Sequence, residues 1–235
     1  MPTLETAIAQ MNWEGIASAL DRHGHAILPG LLPAAHCDTL RKDYLKDDLY
    51  RSRVVMARHG FGRGEYKYFA YPLPNTIESL RRAFYPQLVP IANRWHDALR
   101  IETRFPDDYD AFLSRCHDAG QSRPTPLILR YGRDDYNCLH RDLYGEHVFP
   151  LQVAILLSEP GRDFTGGEFV VTQQSTDGQS AEVVHLRQGD AVLFAVNHRP
   201  GPGRRGVRRV AMRHGVSRIR QGHRYTVGVI FHDAT

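Results

Sequence analysis

The run Asn137-Cys138-Leu139-His140-Arg141-Asp142, taken together with His214-Gly215-Val216 further on, decides how the rest of the chain is organised. A histidine and a carboxylate two residues apart, joined by a distant second histidine, form a 2-His-1-carboxylate face. Such a face holds one side of an Fe(II) ion and leaves the other side open. The spacing has a geometric cause. In an extended strand residues i and i+2 point to the same side, so His140 and Asp142 can reach one ion while Arg141 points away. An H-x-D pair alone recurs by chance. Ten residues beyond His214, however, Arg224 supplies a guanidinium of the kind that clamps a dicarboxylate by a bidentate pair.

His198 competes with His214, because Arg208 follows it at the same interval. Arg224 opens the apolar run Tyr225–Phe231, which would face it into an interior. Gly201–Arg209 combines three glycines with basic residues and reads as exposed loop. The contrast favours His214 and leaves His198 for the mouth of the site. Cys138, two residues before His140, would share its side of an unbroken strand and stand near the metal as an oxidisable thiol. A bend before the motif would instead turn it away as a small buried hydrophobe.

Around the motif the hydrophobic period is that of strands. Leu127–Tyr131, Tyr136–Asp142, Val148–Leu157, Glu168–Thr172, Val183–Leu186, Ala191–Val196 and Tyr225–His232 are short runs separated by Gly and Pro turns, the pattern of a sandwich or jelly roll. Before Pro126 the pattern is mainly helical. Asn12 caps a helix whose stripe is Trp13, Ile16, Ala17 and Leu20, with Gly24 as its stop. His25–Pro29 is a short strand, Pro33 opens another helix, and Asn75–Leu99 and Pro106–Ala119 are amphipathic. The expectation is an α+β fold in one domain, residues 1–235. A jelly-roll core over 126–235 carries a mainly helical support region, 1–125, packed outside it.

Residues 51–74 break the helical pattern. Glycines and cations at His59-Gly60-Phe61-Gly62-Arg63-Gly64 precede the aromatics Tyr66, Tyr68, Phe69 and Tyr71. This is either a flap whose aromatics stack on a substrate ring or a surface loop feeding an edge strand whose aromatics are core. No G-K-[ST] follows, which excludes a phosphate loop.

The 235 residues carry a net charge of +4, unevenly placed. No Asp or Glu occurs in 191–232, while nine arginines fall between Arg199 and Arg224. That segment suits a polyanion such as nucleic acid, with Arg204 and Arg205 the pair to test. It equally suits an exposed basic hairpin kept soluble by its charge. Three cysteines with no close pair fit a reduced, cytoplasmic protein. Met1 to Leu20 has no apolar signal core, and no stretch has the length of a membrane span.

Tyr131, His140-Arg141-Asp142, the Gly166-Gly167-Glu168 turn, Gly189-Asp190-Ala191-Val192-Leu193-Phe194, His214 and Arg224 follow one another in the order seen in Fe(II)/2-oxoglutarate dioxygenases. The chain resembles that superfamily over nearly its whole length, including the stretch Arg58–Tyr66 and the closing Ile230-Phe231-His232-Asp233. It is most like a bacterial oxygenase family labelled as dealkylating damaged nucleic acid. The resemblance implies a double-stranded β-helix with His140, Asp142 and His214 as iron ligands. It also implies Arg224 on the distal carboxylate of 2-oxoglutarate, with Tyr131 hydrogen-bonding it. The implied reaction uses O2 to hydroxylate an aliphatic C–H with release of succinate and CO2, and on an N-methyl group it ends in demethylation. Two further residues are candidates. Arg218 is either a second anion contact near the iron or a solvated arginine, and Asn137 either orients the co-substrate or holds the turn before the motif. Two rivals remain: a hydroxylase of a small metabolite, amino acid or protein side chain, and a non-catalytic jelly-roll sensor or binding protein. The intact triad with Arg224 argues against the second, since a pure binder needs no open metal face.

Overall fold

Central strands that are covered on both faces read as unbroken apolar runs, and two such runs form the middle of this molecule. Every residue of Leu151–Leu156 and of Ala191–Ala195 is buried. The computed structural model describes residues 3–176, 178–203 and 206–235. A seven-stranded sheet runs in the order His25–Leu28, Ala191–Ala195, Leu151–Leu156, Arg224–Val229, Leu127–Tyr131, Glu65–Phe69, Tyr50–Val55. A second sheet runs Gly178–Val184, Phe169–Ser175, Gly206–Val216, Tyr136–His140, Gly62–Arg63, with His198–Gly203 hydrogen-bonded to Gly206–Val216. The pairings in both sheets are antiparallel. A small two-stranded ribbon joins Phe164–Gly166 to Ile219–Gly222.

The helices cover the outside of this core. Trp13–His23 is capped by Asn12, whose side chain accepts from the Gly15 amide, and it ends on Gly24 in the left-handed conformation, φ 74°. Asn75–Ala98 buries Ile77, Leu80, Phe84, Leu88, Ile91 and Trp95 on one face. Tyr109–Asp118 begins three residues after the expected Pro106, because Asp108 caps it by accepting from Ala111. The fully buried Arg81 donates to Asp233 at 2.8 Å, and Tyr71 and His117 also hydrogen-bond that carboxylate, tying the long helix to the end of the chain. Among the described residues no helix is long and apolar enough to cross a membrane.

Three details depart from expectation. The region before residue 125 does not lie wholly outside the core, since His25–Leu28, Tyr50–Val55 and Glu65–Phe69 are strands of the seven-stranded sheet. Residues 51–74 follow the edge-strand reading at Tyr68 and Phe69, which are buried in the core, while Phe61 stays 46% exposed. Gly201–Gly203 and Gly206–Arg209 are strand and not loop, because Gly201 pairs with Arg208 and Pro202 with Val207. The expected strand Val183–Leu186 runs instead from Gly178 to Val184 along an exposed edge. Arg204 and Arg205 lie outside the described residues.

Candidate metal centre and anion pocket

Register places the two histidines. His140 and His214 are direct partners across antiparallel strands, and two residues on, Val216 pairs with Asn137. Between those pairs two residues, Cys138 and Leu139, therefore oppose one, Gly215, which is a β-bulge. The bulge breaks the alternation of sides, so Asn137 and His140 both face the cavity while Cys138 and Leu139 are exposed. Of the two readings of Cys138, the one that turns it away from the metal holds, as an exposed thiol and not a buried hydrophobe. A side chain at Gly215 would put its Cβ 2.8 Å from the Asn137 carbonyl, so the close approach at the bulge requires glycine.

The strand stops at His140, and Asp142 lies just beyond it. The Asp142 carboxylate nonetheless reaches both rings: Oδ1 is 3.4 Å from His140 Nε2, and Oδ2 is 3.3 Å from His214 Nε2. Ligand atoms of the three residues all fall within 4.8 Å of one another. His140 is oriented through Nδ1, which is 2.8 Å from the Cys138 carbonyl and leaves Nε2 directed at the shared point. His214 is held by packing, stacked on Phe169 at 5.9 Å and against Phe194 at 4.5 Å. Burial pushes the Asp142 carboxyl up, but His140 and His214 outweigh it and hold it well below the carboxylate range. Burial, with His140 beside it, lowers His214. An ionised carboxylate and a neutral imidazole are the forms a divalent metal takes. His198 sits in the neighbouring hairpin opposite Ala211 and is not among the three grouped residues, which supports His214 over it.

The same cavity, about 180 Å³, contains Arg224, Tyr131 and Asn137. Arg224 and Tyr131 are register partners on adjacent strands, with the guanidinium 5.8 Å from the tyrosine ring. Arg224 is 2% exposed and donates to the Thr226 hydroxyl. Its Nε has no hydrogen-bond partner, and among the described residues no carboxylate lies within ion-pair distance of it. Burial lowers its pKa to about 10, so it stays charged at neutral pH. The Tyr131 hydroxyl is also buried without a partner, as is the Gln152 side-chain oxygen on the same wall. A buried cation and a buried phenol with open valences form an incomplete site, and the ligand that completes it is an anion.

Arg218 does not join them. Its side chain is 70% exposed, lies 3.7 Å from Asp134 and does not line the cavity, so of its two readings the solvated arginine holds. Tyr144, Gln152 and Thr226 line the cavity without having been singled out in the sequence. A lone Tyr, Gln or Thr in a strand or loop carries no pattern that would mark it.

Residues 64–234 match the model of a family described as "Oxygenase, catalysing oxidative methylation of damaged DNA". The uncharacterized protein Rv2227 of Mycobacterium tuberculosis is 44% identical over 203 residues, 86% of this chain and 84% of its own. Among solved structures, a prolyl-4-hydroxylase of Pseudomonas putida superposes with a TM-score of 0.56 at 15% identity, covering 95% of this chain and 99% of that one. An oxidoreductase of the 2OG-Fe(II) oxygenase family from Burkholderia pseudomallei gives 0.54 at 20% identity, covering 96% and 94%. At these identities the two structures establish a shared fold.

Proposed function

The chain belongs to this oxygenase family, within the 2OG-Fe(II) oxygenase superfamily, and on that footing we propose that it hydroxylates a C–H bond of an alkylated base in nucleic acid. The observation that carries the reading is Arg224, a buried guanidinium without a carboxylate, opening on the same cavity as the His140–Asp142–His214 triad. A dicarboxylate that reaches a metal with one end and Arg224 with the other satisfies both. Three chain residues would hold the metal, leaving its remaining positions to co-substrate and oxygen. With Fe(II), 2-oxoglutarate and O2 bound, the chemistry supplied is conversion of R–H to R–OH with release of succinate and CO2; an N-methyl group then leaves as formaldehyde.

The protein's own contribution is binding and exclusion of water. Arg224 and Tyr131 fix the distal carboxylate, and Asn137 stands on the same wall as His140. Phe169, Phe194, Leu129 and Val216 give the cavity a largely apolar lining. Nucleic acid as substrate is supported by the family's description and by the basic hairpin. Arg209 and Arg213 are exposed on the strand that carries His214 and alternate with buried Val210 and Met212, so they face outward from the cavity. They would track a phosphate backbone on the outer face while a base turns out to enter the cavity past Phe61 and Arg141. The same outward placement favours a second reading, a small-molecule or peptide substrate that makes no use of these arginines.

The test is substrate-dependent succinate release across methylated single- and double-stranded oligonucleotides, amino acids and peptides. Release with methylated oligonucleotides, together with binding whose salt slope falls in Arg209→Ala/Arg213→Ala, supports the nucleic-acid reading. Release only with amino acids or peptides replaces it with the second.

A further inference from the structure

We propose that Tyr144 is a positioning residue of the metal centre, its hydroxyl occupying one oxygen of Asp142 so that the carboxylate offers the metal only the other. The inference rests on the metal-dependent reading of the triad. Asp142 lies beyond the end of its strand, in a segment without regular structure from Arg141 to Pro150, so the strand itself does not fix it. What does fix it comes from the same loop: the Tyr144 hydroxyl donates to Asp142 Oδ1 at 2.8 Å, the oxygen that also lies 3.4 Å from His140 Nε2, while Oδ2 faces His214.

The loop that brings Tyr144 there is itself tied down. Gln121, fully buried, has its Nε2 3.0 Å from the Tyr144 carbonyl, 3.2 Å from that of His147 and 2.6 Å from that of Asp233, its two N–H shared among the three, and its Oε1 accepts from the His147 amide at 2.7 Å. Gly145 has φ 101°, and a Cβ there would lie 2.4 Å from Gln121 Cδ, so the backbone passes Gln121 more closely than any other residue permits. The Tyr144 ring packs edge-on against Tyr68 at 6.4 Å. Hydroxyl, ring and backbone are thus each held by a different partner.

The consequence for the metal is one of coordination number. A carboxylate with both oxygens free can bind a divalent ion through two of them and fill two positions. With Oδ1 hydrogen-bonded to Tyr144, Asp142 would offer a metal one position, through Oδ2, and leave a position on the open face for the co-substrate or oxygen. The hydrogen bond also fixes the plane of the carboxylate relative to the two rings, the usual work of an outer-shell partner.

The experiment titrates Mn(II) into the full chain for the native protein, Tyr144→Phe and His140→Ala, with the visible spectrum of bound Co(II) as a second readout. Tyr144→Phe keeps the ring and removes only the hydroxyl. It should weaken Mn(II) binding by about 10- to 100-fold and change the Co(II) spectrum, with the metal-free melting temperature unchanged. Mn(II) affinity within about twofold of native, with an unaltered Co(II) spectrum, would overturn the role of Tyr144. His140→Ala separates the two levels: native affinity in that variant would remove the metal site itself, whereas loss of binding there with native behaviour in Tyr144→Phe would leave the site standing and discard only this inference. If Tyr144→Phe lowers the metal-free melting temperature, the Co(II) spectrum of the folded fraction decides, a native spectrum again counting against the proposal.

Discussion

Replacing Arg224 by lysine separates charge from shape at the proposed co-substrate anchor. The guanidinium sits 2% exposed with one terminal nitrogen on Thr226 and its Nε open, so a carboxylate can take two parallel hydrogen bonds from the rest of the fork. Lysine keeps the charge but presents a point rather than a fork. Loss of one charge-assisted hydrogen bond costs about 1.5–3 kcal/mol, which corresponds to roughly 10- to 150-fold weaker 2-oxoglutarate binding. Burial adds a pH signature. It already lowers Arg224 to about 10. A lysine has a lower intrinsic pKa than an arginine, so the same burial brings it closer to neutrality. Raising the pH removes the anion-binding charge from the lysine before it removes it from the arginine. The 2-oxoglutarate KM of Arg224→Lys should therefore climb with alkaline pH while that of the native protein stays flat. The assay is succinate release against 2-oxoglutarate concentration at several pH values, with Arg208→Ala in the hairpin as the control. A KM for Arg224→Lys within about twofold of native, or equal sensitivity at Arg208, would refute the assignment of the anchor.

Three further outcomes follow from the same structure. His140→Ala, Asp142→Ala and His214→Ala should each lose divalent-metal binding by titration, while His198→Ala retains it; the opposite pattern at the two distal histidines would reverse their roles. Asp233→Asn breaks the fully buried pair with Arg81 and should cost about 3–5 kcal/mol in denaturant unfolding. Burial raises the Asp233 carboxyl, but Arg81, His117 and Tyr71 outweigh it and leave it lowered. Its contribution is therefore complete above the unfolded carboxylate pKa of about 3.9 and disappears only in acid below that, where native and variant stabilities should converge. Cys138, exposed and outside the cavity lining, should remain unmodified by mass spectrometry after incubation with Fe(II), 2-oxoglutarate and O2 without substrate. Oxygen added there and at no other cysteine would mean that the bulge does not turn it away.

Arg224 and Tyr131 were legible in the sequence because each sits in a strand whose apolar neighbours announce it, and the triad through its H-x-D spacing joined to a distant histidine. Tyr225 to Val229 and Leu127 to Ile128 mark buried strands, and their register then pairs Arg224 with Tyr131. Asn12 and Gly24 announced their helix ends through side-chain chemistry that acts locally. What was not legible depends on contacts distant in the chain. Gly206–Val216 carries arginines at 208, 209 and 213, so its apolar alternation shows only after the sheet has decided which side is inside. The bulge between Asn137 and His140 is a mismatch of two strands and leaves no mark on either one alone; it is why an i, i+2 rule could not decide between the two readings of Cys138. Strand geometry explained His140 and stopped there, and Asp142 is set by a loop that Gln121 holds from 23 residues before Tyr144. Arg218 illustrates the converse. Its position near other site residues in sequence made it a candidate, and its solvent-facing side chain removes it.

The most direct test of the central claim, that one cavity binds a divalent metal and 2-oxoglutarate together, is calorimetric titration of 2-oxoglutarate into the full chain with and without Mn(II). One 2-oxoglutarate should bind per chain when the metal is present, much more weakly without it, and not detectably in Asp142→Ala or Arg224→Ala. Binding that is indifferent to the metal, or that survives both substitutions unchanged, would contradict it.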